Sequence, residues 1–176
     1  MIIDMNRRGF TIVELLIVIV IMGALLILGV ANLRGSQISA RDAERKTDIE
    51  NIAMHLETYY DSGSDYTTST GQYPSTLVTL VSSGTAYVKT ALRDIDAASI
   101  TAPDITDSTT TFIAATNNTQ VTTGVLPQPT IDQYVYQPIK SDGTLCTLLT
   151  DECRKFNLYY RLESDSIVYM ATGKHQ

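Results

Sequence analysis

Few side chains in this sequence could carry chemistry, and one of them stands where its charge is expensive. Glu14 is the single charged residue in the 22-residue stretch 10–31. At about 1.5 Å per residue a helix of that length reaches roughly 33 Å, enough to cross a hydrocarbon layer of roughly 30 Å. A carboxylate one turn into such a span costs up to roughly 3 kcal/mol to insert, so an acid there implies a partner or a task. Arg7 and Arg8 precede the run, with Gly9 and Phe10 at its edge. Basic residues on that flank favour a cytoplasmic N-terminus and place the rest of the chain outside. A plain anchor gives Glu14 nothing to do. Neither does a secretory signal, for which Gly29-Val30-Ala31 offers a small-x-small cleavage match that would leave Asn32 first.

The remaining candidates are sparse. Cys146 and Cys153 lie seven apart. In a head outside the cytoplasm they suggest a disulfide, which closes a small loop and contributes roughly 2–3 kcal/mol in the chain-entropy model. Two free or buried thiols are the alternative, and the spacing excludes a CxxC redox pair. His55 and His175 are the only histidines. Asp94, Asp96, Asp104 and Asp107 lack the regular alternation and closing Glu of a calcium loop. No Gly-rich phosphate loop, Ser-His-Asp grouping or HExxH occurs. The chain therefore reads as a non-enzyme, with no catalytic residue, metal site or cofactor expected. Its 176 residues are 44% hydrophobic and carry a net charge of −6. That is too hydrophobic for general disorder, and too acidic to grip a nucleic-acid backbone directly.

Residues 7–16, RRGFTIVELL, resemble the class III signal of type IV pilins and type II secretion pseudopilins. The resemblance implies that a membrane aspartyl peptidase, the prepilin peptidase, cuts between Gly9 and Phe10 and that Phe10 becomes N-methylphenylalanine. It places Glu14 at the family's assembly glutamate. The physics agrees: cleavage would create an amine at Phe10, and in hydrocarbon a carboxylate and an ammonium each cost less when paired. A subunit entering a bundle would pair its Glu14 with a neighbour's Phe10 amine, which supplies register where lipid offers no hydrophobic drive between helices. The resemblance further implies a homopolymer, an inner-membrane platform protein and an assembly ATPase as partners. The subunit would sit in the cytoplasmic membrane before assembly and in an extracellular pilus after it. A type IV pilin is the first reading. A secretion pseudopilin is the second, supported by a likeness of Tyr73-Pro74-Ser75-Thr76-Leu77 to the Tyr-Pro-x-x-Leu segment of that group. A minor tip pilin or membrane-tethered adhesin is the rival from another class.

These residues need elements to hold them. One helix is expected over about 10–61, since no Pro occurs before Pro74. Its half 10–34 is apolar all round and would serve as membrane span and filament core. Its half 35–61 is amphipathic, with Ile49, Ile52, Ala53, Leu56 and Tyr60 on one face. Gly35 with Ser36 and Ser39 marks the weak point between the halves. The charged run Arg41, Asp42, Glu44, Arg45, Lys46, Asp48, Glu50 reads as a solvated face, or as a face that pairs between subunits. Residues 62–130 read as a connecting loop region, with short helices from Pro74 to Val81 and over 87–95. Within it, 101–130 is exposed loop with one strand over 110–115, and Asn117-Asn118-Thr119 is an unmodified glycosylation-type triplet. Residues 131–176 read as an antiparallel sheet with a C-terminal disulfide region. Its strands are 134–136 stopped by Pro138, a half-buried alternating run over 156–163, and 167–171. The fold class expected is α+β: after a leader of residues 1–9, a long helix packed against a small antiparallel sheet, the pilin fold.

Overall fold

The computed structural model describes residues 10–62, 70–76, 92, 95–105 and 112–175, without the side chains of 31 and 32. Of the short helices expected over 74–81 and 87–95, residues 77–91, 93 and 94 lie outside the described residues, as does the leader 1–9. The chain divides into two compact units, Met1–Ser39 and Ala40–Gln176. One helix, α1 (Ile12–Ser62), contributes to both. It continues through Gly23, Gly29 and Gly35 without interruption. It is long and apolar enough to cross a membrane.

Among the described residues of the second unit, four strands form one sheet in the order β1 (Phe112–Ala114), β2 (Tyr134–Lys140), β3 (Cys153–Arg161), β4 (Val168–Thr172). The sheet is mixed rather than antiparallel, because β1 pairs parallel with β2 while the other two pairings are antiparallel. A parallel pair needs a crossover of a dozen or more residues, and the stretch 115–133 supplies it. The core lies between α1 and one sheet face. Ile49, Ile52 and Leu56 of the helix are buried with Phe112, Tyr134, Tyr136, Phe156 and Leu158 of the strands. Burial of this stripe, rather than propensity, is what binds the helix to the sheet.

Three expectations change here. β2 runs through Pro138 instead of stopping at it. The Pro138 carbonyl accepts from the Cys146 N–H, away from β3, so the N–H that proline lacks would have faced the same way and costs β3 no bond. The stretch 101–130 is not simply exposed. Its crossover covers the second sheet face, where Ala115 and Val125 are buried against Val135 and Tyr159. As a result β3 is buried on both faces around Asn157, Leu158 and Tyr159, not half-buried. The pin of this covering loop is Gln137, which is fully buried. Its amide donates to the carbonyls of Asn117 and Thr119, and its oxygen accepts from Asn157 and the Tyr159 hydroxyl. All of its polar atoms are satisfied, as a buried amide requires.

Cys146 and Cys153 form a disulfide with Cα atoms 5.8 Å apart. Replacing both by serine is expected to destabilise the second unit by about 2.5 kcal/mol, the chain-entropy figure for so short a loop. Urea unfolding of the detergent-solubilised chain, with and without reductant, measures it. Gly173 marks a close approach: a Cβ there would sit 2.8 Å from a Phe156 ring carbon and 2.9 Å from the Tyr73 hydroxyl.

Candidate functional site

Two places concentrate polar side chains that the apolar pattern does not explain. The first is the start of α1. Phe10 and Thr11 precede the helix, and Thr11 occupies the N-cap. The Thr11 backbone N–H donates to Glu14 Oε2 at 3.0 Å, and its hydroxyl donates to the same oxygen at 2.9 Å. In return the Glu14 N–H donates to Thr11 Oγ1 at 3.2 Å. This is a reciprocal capping box, which satisfies two of the orphan donors at the helix start. Its signal, Thr followed three residues later by Glu, is present in the sequence, and an assembly role for Glu14 does not reveal it. The geometry leaves Glu14 Oε1 outside the box. Around it, Ile12, Val13, Leu15 and Leu16 are all more than half exposed, so the carboxylate sits at the tip of an apolar surface that none of the described residues covers. Gly9 lies outside the described residues, so the Gly9–Phe10 bond itself has no described geometry.

The second place is the helix–sheet junction. Asp42, Arg45 and Asp48 are buried rather than solvated. Spaced by three, they extend the stripe of Ile49, Ile52 and Leu56 toward the N-terminus, which was a readable signal that the charge pattern concealed. Arg45 donates to Asp42 at 3.0 Å and to the Ile131 carbonyl at 2.9 Å. Asp42 also accepts the backbone N–H groups of Glu163 and Ser164 at the β3–β4 turn. Arg41 grips Glu163 with two bonds of 2.8 and 2.6 Å. Burial works against ionised Asp42, yet the Ser164 and Glu163 hydrogen bonds and the Arg45 charge outweigh it and hold its pKa below the usual carboxylate range.

Asp48 accepts from the Tyr134 hydroxyl at 2.6 Å. Burial pushes its pKa up to about 6, aided by Glu44 and opposed by the Tyr134 bond and by Arg45. The folded state thus holds a proton there that the unfolded chain releases near its ordinary value. Stability falls as pH rises from about 4 to about 6, and the cost persists above that window. Asp48→Asn should therefore raise stability at pH 7 by about 2 kcal/mol while leaving it unchanged at pH 4. Urea midpoints at the two pH values test this.

Other candidate residues have local tasks. Asp96 caps the short 3-10 turn Ala97–Ile100. Asp104 lies 3.4 Å from Arg41, and Asp94 and Asp107 lie outside the described residues. Among the described residues no three His, Cys, Asp or Glu side chains converge as a metal site. The Asn117 amide donates to the Gly124 carbonyl and its oxygen accepts from Leu126, so the glycosylation-type triplet is tied into the crossover. His175 stacks on Tyr60 at 4.1 Å, with its Nε2 3.6 Å from Glu57.

A family model described as the prokaryotic N-terminal methylation motif matches residues 4–30, the segment that holds Phe10 and the capping box. The chain carries that motif. Over 66 residues it is also 36% identical to the type II secretion system core protein G of Dickeya chrysanthemi. The match covers 38% of this chain and 43% of that protein, so the chain spans less than half the length of the curated relative it matches. No solved structure matches it. The methylation motif together with an α+β fold on one long helix agrees with the resemblance read from residues 7–16.

Proposed function

We propose that this chain is the precursor of a filament subunit of the pilin and pseudopilin kind, cleaved between Gly9 and Phe10, N-methylated at Phe10 and polymerised. The observation that carries this is the methylation motif, set on a helix whose one apolar-segment carboxylate stands at its exposed tip. Glu14 serves assembly: Oε2 is committed to Thr11, and the carboxylate is placed to meet the Phe10 amine of another copy. Before assembly the first half of α1 lies in the cytoplasmic membrane with the second unit outside. The role is structural rather than catalytic. The prepilin peptidase, a platform protein and an assembly ATPase are the partners, and extraction from lipid ends in a fibre.

Between the two members of this class, the likeness to a secretion-system core protein favours the pseudopilin, in which the fibre serves protein export. The type IV pilin, with its fibre displayed outside the cell, is the other. Intact-mass analysis and N-terminal sequencing of protein from cells with a prepilin peptidase test the processing step. The expected first residue is N-methylated Phe10, with the apolar half of α1 retained. Asn32 at the terminus would end the filament reading, and an uncut head would reduce the chain to a tethered domain.

A further inference from the structure

We propose that the open edge of β4 takes up an extended polypeptide segment carrying lysine or arginine, which adds a strand to the sheet beside α1. The register of β3 and β4 decides which edge groups can pair. The Leu162 N–H donates to the Ile167 carbonyl and the Gly173 N–H to the Phe156 carbonyl, so the odd-numbered residues from 167 to 173 face β3. Antiparallel pairing alternates, so the N–H and C=O groups of Val168, Met170 and Thr172 point away from β3. No described residue bonds to them. Edge strands are ordinarily blunted by shortness, proline, charge or a bulge. β1, at the opposite edge, has only three residues. β4 has five, VYMAT, with neither proline nor charge, and its register against β3 is unbroken. Such an edge is a template whose alternating donors and acceptors another extended backbone matches.

The surroundings of the edge select the side chains of that segment. A groove of about 370 Å³ is lined by Glu50, Ala53, Met54 and Asp61 of α1 and by Thr172 and Lys174 at the end of β4. Glu57 lines it as well, although its carboxylate already accepts from the Tyr73 hydroxyl and the Lys174 N–H. Three carboxylates thus stand against one lysine, and Lys46, one turn before Glu50, does not reverse the balance. Tyr160 packs on the helix-side core and stacks with Tyr169 of the edge at 5.6 Å. Burial first, and then the Glu50 charge, raise the pKa of the Tyr160 hydroxyl, which puts that carboxylate beside the same pair of rings. Alternate side chains of an added strand would point to this face. A lysine or arginine there meets carboxylates and tyrosine rings, whereas an acidic residue meets repulsion.

The test uses the full chain in detergent at low salt, with short capped peptides as probes. One alternates valine with lysine, a second alternates valine with glutamate, and a third is the lysine peptide methylated at every backbone nitrogen. Hydrogen exchange followed by NMR is expected to show the Val168, Met170 and Thr172 amides slowed by the lysine peptide. The methylated peptide should fail, because it has no N–H to offer the edge. The glutamate peptide should bind at least about tenfold more weakly than the lysine peptide, since like charges meet across the contact. Glu50→Lys should weaken the lysine peptide and strengthen the glutamate peptide; a variant that merely misfolds loses both. Slowed exchange at other amides only, equal binding by the methylated or the glutamate peptide, or no binding at millimolar peptide would overturn the proposal. Protection of the same amides without peptide, growing with protein concentration, would also overturn it and assign the edge to a second copy. None of these outcomes bears on the cut after Gly9 or on Glu14, so the filament reading stands or falls separately.

Discussion

Arg45→Met should destabilise the helix–sheet junction by about 3–5 kcal/mol. The guanidinium is almost fully buried, with 2% of the side chain exposed, and it faces an Asp42 carboxylate that is 7% exposed. Removing it leaves a buried negative charge beside an Ile131 carbonyl that has lost its donor. The two backbone N–H groups from Glu163 and Ser164 still hold Asp42, which keeps the loss toward the lower end of that range. The pH dependence follows from the same contacts. With its pKa held low, Asp42 contributes stability above its unfolded value, and that stability is lost as pH falls through the folded value. Removing the Arg45 charge relaxes the depression, so the variant should unfold at a higher pH on acid titration. Circular dichroism of the solubilised chain against urea and against pH measures both effects. An unchanged urea midpoint would show that the Asp42–Arg45 pair adds no stability.

Glu14→Ala should still be cut and retained in the membrane while fibre yield falls at least about tenfold, equivalent to roughly 1.4 kcal/mol or more per subunit step. Two losses combine in this variant. The capping box with Thr11 disappears, at about 1 kcal/mol for a helix start. On the proposed pairing, the counter-charge for a neighbour's Phe10 amine disappears too, and an unpaired ammonium in hydrocarbon is costly. Glu14→Gln separates them, because its amide oxygen still accepts from Thr11 but carries no charge. If pairing governs assembly, Gln fails like Ala; if capping governs it, Gln assembles. Sheared fibres, quantified against membrane-retained processed protein, give the answer. Wild-type yield from both variants would remove Glu14 from the assembly role.

Much of this architecture is legible along the chain, because the features concerned are local. The apolar length of α1, the spacing of Ile49, Ile52 and Leu56, and the motif around Glu14 each depend on residues within a few turns of one another. The alternation over 156–163 that marks β3 is local in the same way. What escaped depends on neighbours that sequence distance hides. Asp42, Arg45 and Asp48 look like a solvated face until residues more than eighty positions away supply their partners: Ile131, Tyr134, Glu163 and Ser164. Asn157 and Tyr159 look like the wet side of a strand until the crossover brings Val125 and the pin at Gln137 over them. Pro138 looks like a strand end until the direction of its carbonyl shows which edge lacks the N–H.

By itself the sequence determined that this chain has one long apolar helix with a carboxylate near its start, a methylation-type motif at that start, and an α+β unit downstream. Hydrophobic length and short-range spacing are enough for those, since helix geometry converts them directly into structure. Only the tertiary structure decided that the sheet is mixed, that both its faces are covered, and that the charged run locks the helix to the β3–β4 turn. Each of those depends on a long-range pairing in which a charge or amide can be buried once a specific distant partner satisfies it, and no periodicity in the chain encodes which partner arrives.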